Sequence, residues 1–308
     1  MSIILLRGAA EQGFLYALVA LGLYLSFRTL NIADMTTDGT FTLGAACSAT
    51  ITLTGHPVLG LLAGALAGVA AGLVTALLQT KLRIQPILAG IITMTALYSI
   101  NLKAMGNRSN VPLLRVDTVF SLFESILPAG ARAYAKLILA GIITAVVAAA
   151  LIFFLRTRIG LSVRATGDNR MMVSASSINP EFTTAVGIAL ANAMVALSGA
   201  LVAQYQLFSE ITMGTGMVVI GLASLIIGEV FTDLLFKSPT VPVRIIGAIG
   251  GAVVYRIIIA AALSASVAAS DLKLVSAVIV AVSISGPAVL DAVRLHRMRR
   301  EANRNVDA

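Results

Sequence analysis

Residues 134–155 read YAKLILAGIITAVVAAALIFFL. At about 1.5 Å of rise per residue, a helix of this length matches the roughly 30 Å hydrocarbon core of a bilayer. Runs of the same kind recur on either side of it, over 8–27, 37–53, 57–80, 86–105, 182–207, 214–236, 244–263 and 273–290. The number of spans is about nine, within a range of roughly eight to ten, because short or broken segments are counted poorly from hydropathy alone. The expected fold class is therefore all-α, a polytopic bundle of transmembrane helices.

Composition supports this reading. Of the 308 residues, 58% are hydrophobic and only 12% charged, and the mean hydropathy is +0.96. Soluble domains carry about 25% charged residues. No polar block is long enough to fold as a second, soluble unit, so residues 1–308 read as one integral membrane domain. The apolar run 13–27 lacks a cleavage pattern behind it and reads as a retained first span. Cys47 is the only cysteine, which excludes an intrachain disulfide framework and a thiolate metal cluster, and no metal site is expected.

The net charge of +8 follows the topology. Lys81 and Arg83 follow the third run, Arg156, Arg158, Arg164 and Arg170 the fifth, Lys237 the seventh, and Arg294, Arg297, Arg299, Arg300 and Arg304 the last. With alternating spans these ends share one side, and the positive-inside rule assigns that side to the cytoplasm. The C-terminus is then inside and the N-terminus outside. The loop 106–133 falls outside, although it holds Arg108, Arg115 and Arg132. The basic tail 291–308 reads as an anchor at an anionic lipid surface and not as a nucleic-acid site.

Small residues recur every four positions at Gly60, Gly64, Gly68 and Gly72, and again at Gly247 and Gly251. On a helix they line one face and let another backbone approach, either within the chain or from a second copy. Polar groups at membrane depth are few. Asn31, Asp34, Thr36, Thr37 and Asp38 form a polar break between the first two runs, tolerated only where protein or a water cavity shelters it. Tyr98, Ser99 and Asn101 lie on the fourth run, and Asn192, Gln204 and Tyr205 on the sixth. Each could equally make an interhelical hydrogen bond; together Asn31, Asp34, Thr37, Asp38, Tyr98, Asn101, Asn192, Gln204 and Tyr205 are the candidates for a translocation path with little charge selectivity. Glu229 and Asp233 share a helix face, and Arg256 lies in the next run. The two readings are a Glu229–Arg256 ion pair locking two helices and an ion relay.

The segment 156–181 reads RTRIGLSVRATGDNRMMVSASSINPE. It is long and basic, yet it carries helix signals. Asp168 is a good N-cap, and Asn179 followed by Pro180 and Glu181 opens a second helix. A short surface helix between two spans either lies on the membrane or docks in a partner's groove.

The string VRATGDNRMMVSASSINP, within 163–180, resembles the coupling helix of permeases of the branched-chain amino acid/ribose class of bacterial ABC importers. LNIADMTTDGTFTLGAA (30–46), ANAMVALSGALVAQYQLFSE (191–210) and GLASLIIGEVF (221–231) resemble further segments of that family, in the same order, with tryptophan/tyrosine (amino-acid) permeases as the nearest subgroup. The resemblance covers most of the chain. It implies the membrane-spanning subunit of an importer for a small solute: a homodimer of permease chains, two cytoplasmic ATPase subunits and an extracytoplasmic substrate-binding protein. It places Arg164, Gly167, Asp168, Asn169, Arg170, Met171, Met172 and Ser174 at the ATPase contact, with Gly167, Asp168 and Asn169 starting the coupling helix. No G-x-x-x-x-G-K-[ST] loop is present, so ATP and Mg would be held by the partner ATPase, and this chain is expected to need no cofactor of its own.

Two rival functions are weaker. The only histidines are His56 and His296, no H-E-x-x-H occurs, and Ser198-Gly199 lacks the preceding glycine of a nucleophile motif, so an enzyme is not expected. A secondary transporter would use Glu229 and Asp233 for ion coupling, but the two halves of the chain show no convincing repeat.

Overall fold

The computed structural model describes residues 3–128, 130–236 and 239–264, with the isolated positions 274, 277, 278 and 281. The expected span 273–290, the tail 291–308 and Lys237 thus lie wholly or largely outside the described residues. The other eight expected spans are all helices. Helix α1 (Ile3–Leu23) widens into a π-helical stretch, Tyr24–Thr29. It is followed by α2 (Thr37–Thr52), α3 (Pro57–Thr80) and α4 (Pro86–Ala104). A short α5 (Val119–Ile126) precedes α6 (Ala135–Arg156), α7 (Arg158–Asp168) and α8 (Arg170–Ala175). Helices α9 (Pro180–Gln206), α10 (Met217–Leu235) and α11 (Val241–Ser264) complete the bundle.

Seven of the eight helices at expected spans are long and apolar enough to cross a membrane; α2 is the exception. Its 16 residues give about 24 Å, short of a roughly 30 Å core. Its first turn meets the middle of its neighbours: Gly39 lies against Met94 and Leu97 of α4, and Asp34, just before the helix, bonds Asn192 of α9. Helix α2 therefore begins at mid-depth, and the polar break expected at Asn31–Asp38 is the stretch that brings the chain back from the end of α1. Asn31 makes the turn with φ of 55°, a left-handed conformation that asparagine tolerates.

Helices α2, α3 and α9 form the centre, and glycine sets their spacing. A Cβ on Gly64 would stand 3.0 Å from both the Ala200 methyl and the Gly44 carbonyl, and one on Gly72 only 2.8 Å from the Ala189 backbone. The Gly60–Gly72 stripe thus packs within the chain, against α2 and α9. Gly251 likewise lets α11 lie on α10 at Ser224 and Gly228.

One end of the bundle is closed by a small cap. Strand β1 (Asn110–Pro112) pairs antiparallel with β2 (Phe208–Glu210), with Val111 opposite Ser209. Helix α5 opens with a reciprocal cap between Thr118 and Ser121. The other end, hereafter the basic end, gathers Arg28, Lys81, Arg83, Arg156, Arg158, Arg164, Arg170 and Arg244 at helix ends and connections. Lys81 and Glu181 join the α3–α4 turn to the start of α9 at 2.7 Å.

Candidate functional site: a mid-membrane cavity and an exposed helix

Asp34, Thr36 and Thr37 of the polar break are held by internal bonds. Asp34 is 1% exposed. One of its carboxylate oxygens accepts the Thr36 N–H at 2.9 Å, and the other accepts an Asn192 Nδ2–H at 2.7 Å. The hydroxyls of Thr36 and Thr75 meet at 2.9 Å, and that of Thr37 donates to the Asp34 carbonyl. A charged or polar group buried at this depth must be hydrogen-bonded; Asp34, Thr36 and Thr37 find partners here, while Asn192 Oδ1 has none among the described residues.

Asp38 has a different task. Its oxygens accept the amides of Gly216 at 2.8 Å and Val218 at 2.9 Å, the free N–H groups at the start of α10. Gly216 offers no side-chain cap there, so the cap is supplied from α2 across the fold. Thr42 adds a bond from the Gly214 amide at 3.1 Å. The α10 end that sequence places at 214 is accordingly delayed to Met217, because 212–216 forms the turn that delivers these amides.

Beside this junction lies a cavity of about 240 Å³, lined by Asp38, Gly39 and Thr42 of α2, Met94, Thr95, Tyr98 and Asn101 of α4, and Ile211 and Thr215 of the turn. Asp38, Tyr98 and Asn101 of the nine path candidates thus come together. Asn101 is 1% exposed; its Nδ2 donates to the Gly39 carbonyl at 3.1 Å, leaving its Oδ1 without a partner among the described residues. Tyr98 and Thr95 lie on the open side of α4.

The remaining candidates lie elsewhere. Asp34 and Asn192 pair as described, with Thr37 buried beside them, and Asn31 makes the preceding turn. Gln204 donates to Ser48 Oγ and the Pro57 carbonyl and accepts the Val119 amide, which ties α9 to α2, α3 and α5. The Tyr205 hydroxyl donates to Glu11 at 2.8 Å, and its ring lies edge-on to Phe120. Glu11 is a buried acid of the first span paired with Arg7, and its signal was present as a charge inside the apolar run 8–27.

The expected Glu229–Arg256 pair does not form. Glu229 instead pairs with Arg28, at the end of α1. Arg256 lies over the ring of Tyr16, its guanidinium carbon 3.6 Å from the centroid, a cation–π contact that suits a cation at membrane depth. The reason is direction: Glu229 and Arg28 stand at the basic end of parallel helices, whereas Arg256 points to α1 well above them. With Glu229 neutralised by Arg28 and Asp233 on the exposed surface, nothing in this arrangement favours an ion relay.

At the basic end, the segment 156–181 folds into two helices. Thr157 caps α7 by accepting the Gly160 amide. Sequence assigns the next cap to Asp168, but Asp168 is the last residue of α7 and Asn169 is the cap. The Asn169 backbone is extended, and its Oδ1 accepts the Met172 amide at 3.0 Å. Gly167 accordingly does not start the short helix; it lies in α7, where the absence of a side chain lets α7 rest on the Thr29 carbonyl. Thr166 and Thr183 join α7 to α9 at 2.7 Å. On α8, Val173 is buried, while Met171 and Met172 are 87% and 69% exposed with Arg170 beside them. The Ser174 hydroxyl bonds back to the Arg170 carbonyl. Asn179 caps α9 as expected, accepting the Glu181 and Phe182 amides.

The structure is thus a multi-pass bundle with a cavity beside Asp38 and a short helix held out on a braced stem. Residues 5–284 match the family described as branched-chain amino acid transport system / permease component, and the chain belongs to that family. It is 36% identical over 271 residues to a tyrosine transport system permease protein of Clostridioides difficile, covering 87% of this chain and 86% of that one. It is 30% identical over 284 residues to an uncharacterized protein of Rickettsia prowazekii, covering 90% and 95%. No solved structure matches.

Proposed function

We propose that this chain is the membrane-spanning half of an ATP-driven importer that admits an amino acid, an aromatic one being favoured by the tyrosine label of the Clostridioides relative. It lies in the inner membrane of a bacterium with the basic end, and the C-terminus, in the cytoplasm, as the clustering of Lys and Arg supports. The observation that carries the reading is α8: a helix showing Met171 and Met172 to solvent, capped at Asn169 and braced through α7. Exposed methionines suit an adaptable hydrophobic contact with a soluble partner. Two ATPase subunits would dock there and hold the ATP and Mg, this chain contributing no catalytic group. A second copy would face the open side of α4, completing around Tyr98, Asn101 and Asp38 a path that each copy half-lines. A binding protein would deliver the solute to the capped end. Lipid surrounds the assembly, and nucleic acid has no part in it.

The test is co-purification in detergent followed by reconstitution. The expected result is recovery of a soluble ATPase whose hydrolysis is coupled to uptake of the amino acid. Uptake by the purified chain alone under an ion gradient, without ATP, would overturn the proposal.

A further inference from the structure

A cavity of about 660 Å³ opens at the basic end, between the π-helical end of α1, the last turn of α6, α7 and the first turn of α11. Four arginines line it, Arg28, Arg156, Arg164 and Arg244, against one carboxylate, Asp168. Arg28 is engaged by Glu229. Arg156, Arg164 and Arg244 have no carboxylate within ion-pair distance among the described residues. Like charges gathered around one concavity repel, and an anion placed among them removes that repulsion. Guanidinium groups present a planar fork that fits phosphate oxygens better than an ammonium does. Ile152, Leu155 and Val241 give the wall an apolar part, beside Tyr24, Thr29 and Thr240. The cavity stands where three spans end, which is headgroup depth in a bilayer. Basic pockets between spans at this level take anionic lipid headgroups.

We infer that this cavity binds the phosphate of an anionic phospholipid, with the start of an acyl chain against Ile152, Leu155 and Val241. The site assigns Arg164 to lipid and leaves Arg170, on the outer surface of α8, to face the ATPase. It requires only that the chain lie in a membrane and is independent of the solute proposed above.

The test uses the full chain in nanodiscs of phosphatidylcholine, with and without phosphatidylglycerol, followed by thermal unfolding. A ligand that binds only the folded state raises the midpoint. The wild-type midpoint is expected to rise by several degrees with phosphatidylglycerol. The rise is expected to vanish in Arg164→Gln/Arg244→Gln and to persist in Arg83→Gln/Arg158→Gln, which removes the same charge from the same end outside the cavity. If both double variants keep the rise, or both lose it, the effect is one of general surface charge and the inference falls. If inorganic phosphate in plain phosphatidylcholine discs reproduces the rise, the ligand is a free anion and the lipid assignment falls. Should the cavity variant fail to fold, a photoactivatable phosphatidylglycerol on the wild type decides: labelling at 152–155 or 241–244 supports the site, and labelling only elsewhere overturns it.

Discussion

Arg28 and Glu229, 201 positions apart in sequence, meet as an ion pair at the basic end and join α1 to α10. The Glu229 side chain is 9% exposed and that of Arg28 52%. Removing Arg28 leaves a nearly buried carboxylate without its cation. Arg28→Leu is expected to destabilise the protein by about 2 kcal/mol, less than a fully buried pair would lose because Arg28 is half in water. Glu229→Gln should cost less, since the amide still accepts a bond. Thermal unfolding of both in one detergent checks the order, and equal midpoints for wild type and Arg28→Leu would refute it.

The cap that Asp38 places on α10 predicts a graded series. Asp38→Asn keeps one acceptor and loses the charge; Asp38→Ala loses both bonds to Gly216 and Val218. The alanine variant is expected to lose about 1–2 kcal/mol, with the asparagine variant in between. Hydrogen exchange at the amides of 216–218 is the direct measurement, and it should accelerate most in Asp38→Ala.

Glycines on crowded and open faces should behave oppositely. A Cβ at Gly68 would come within 2.5 Å of both the Ala196 methyl and the Asn192 carbonyl, while at Gly141 nothing lies within 4 Å. Gly68→Val should fail to accumulate as folded protein. Gly141→Ala should be neutral or slightly stabilising, since alanine is the better helix former. Size-exclusion profiles after expression separate the two.

The position of the short helix's cap is tested by neighbouring residues. Asn169→Ala should loosen α8 by about 1 kcal/mol and weaken ATPase coupling, with the permease midpoint unchanged. Asp168→Ala, at the end of α7, leaves that cap intact. Met171→Glu/Met172→Glu should abolish coupling without altering the fold, because both side chains are exposed. ATPase stimulation in reconstituted vesicles is the readout, and full coupling in the glutamate variant would remove α8 from the interface.

Much of the fold is written in local pattern. Apolar runs mark the spans, and the cluster from Asn31 to Asp38 marks the break from which α2 starts at mid-depth. Asn179-Pro180-Glu181 specifies the start of α9 because cap, fixed φ and first-turn acid all agree there. Asp168 and Asn169 are adjacent and chemically equivalent as caps, so sequence cannot choose between them; the choice comes from α7, which Gly167 allows to continue against Thr29. The partner of Glu229 was beyond local reading for another reason. Arg28 and Arg256 are both cations near helix ends or within spans, and only the relative direction of α1, α10 and α11 decides between them. Gln204 and Tyr205 looked like path residues because polar groups are rare in the bundle, but tertiary contacts use them to fasten the cap.

Helix α10 is fastened at both ends. Its start is held by Asp38, on the wall of the mid-membrane cavity, and near its finish Glu229 grips Arg28, one residue from the point where α7 rests on Thr29. Nineteen residues make it a rod of about 28 Å. Helix α10 is therefore a stiff connecting rod between the stem of α8 and the cavity wall, held near each end by a carboxylate grip.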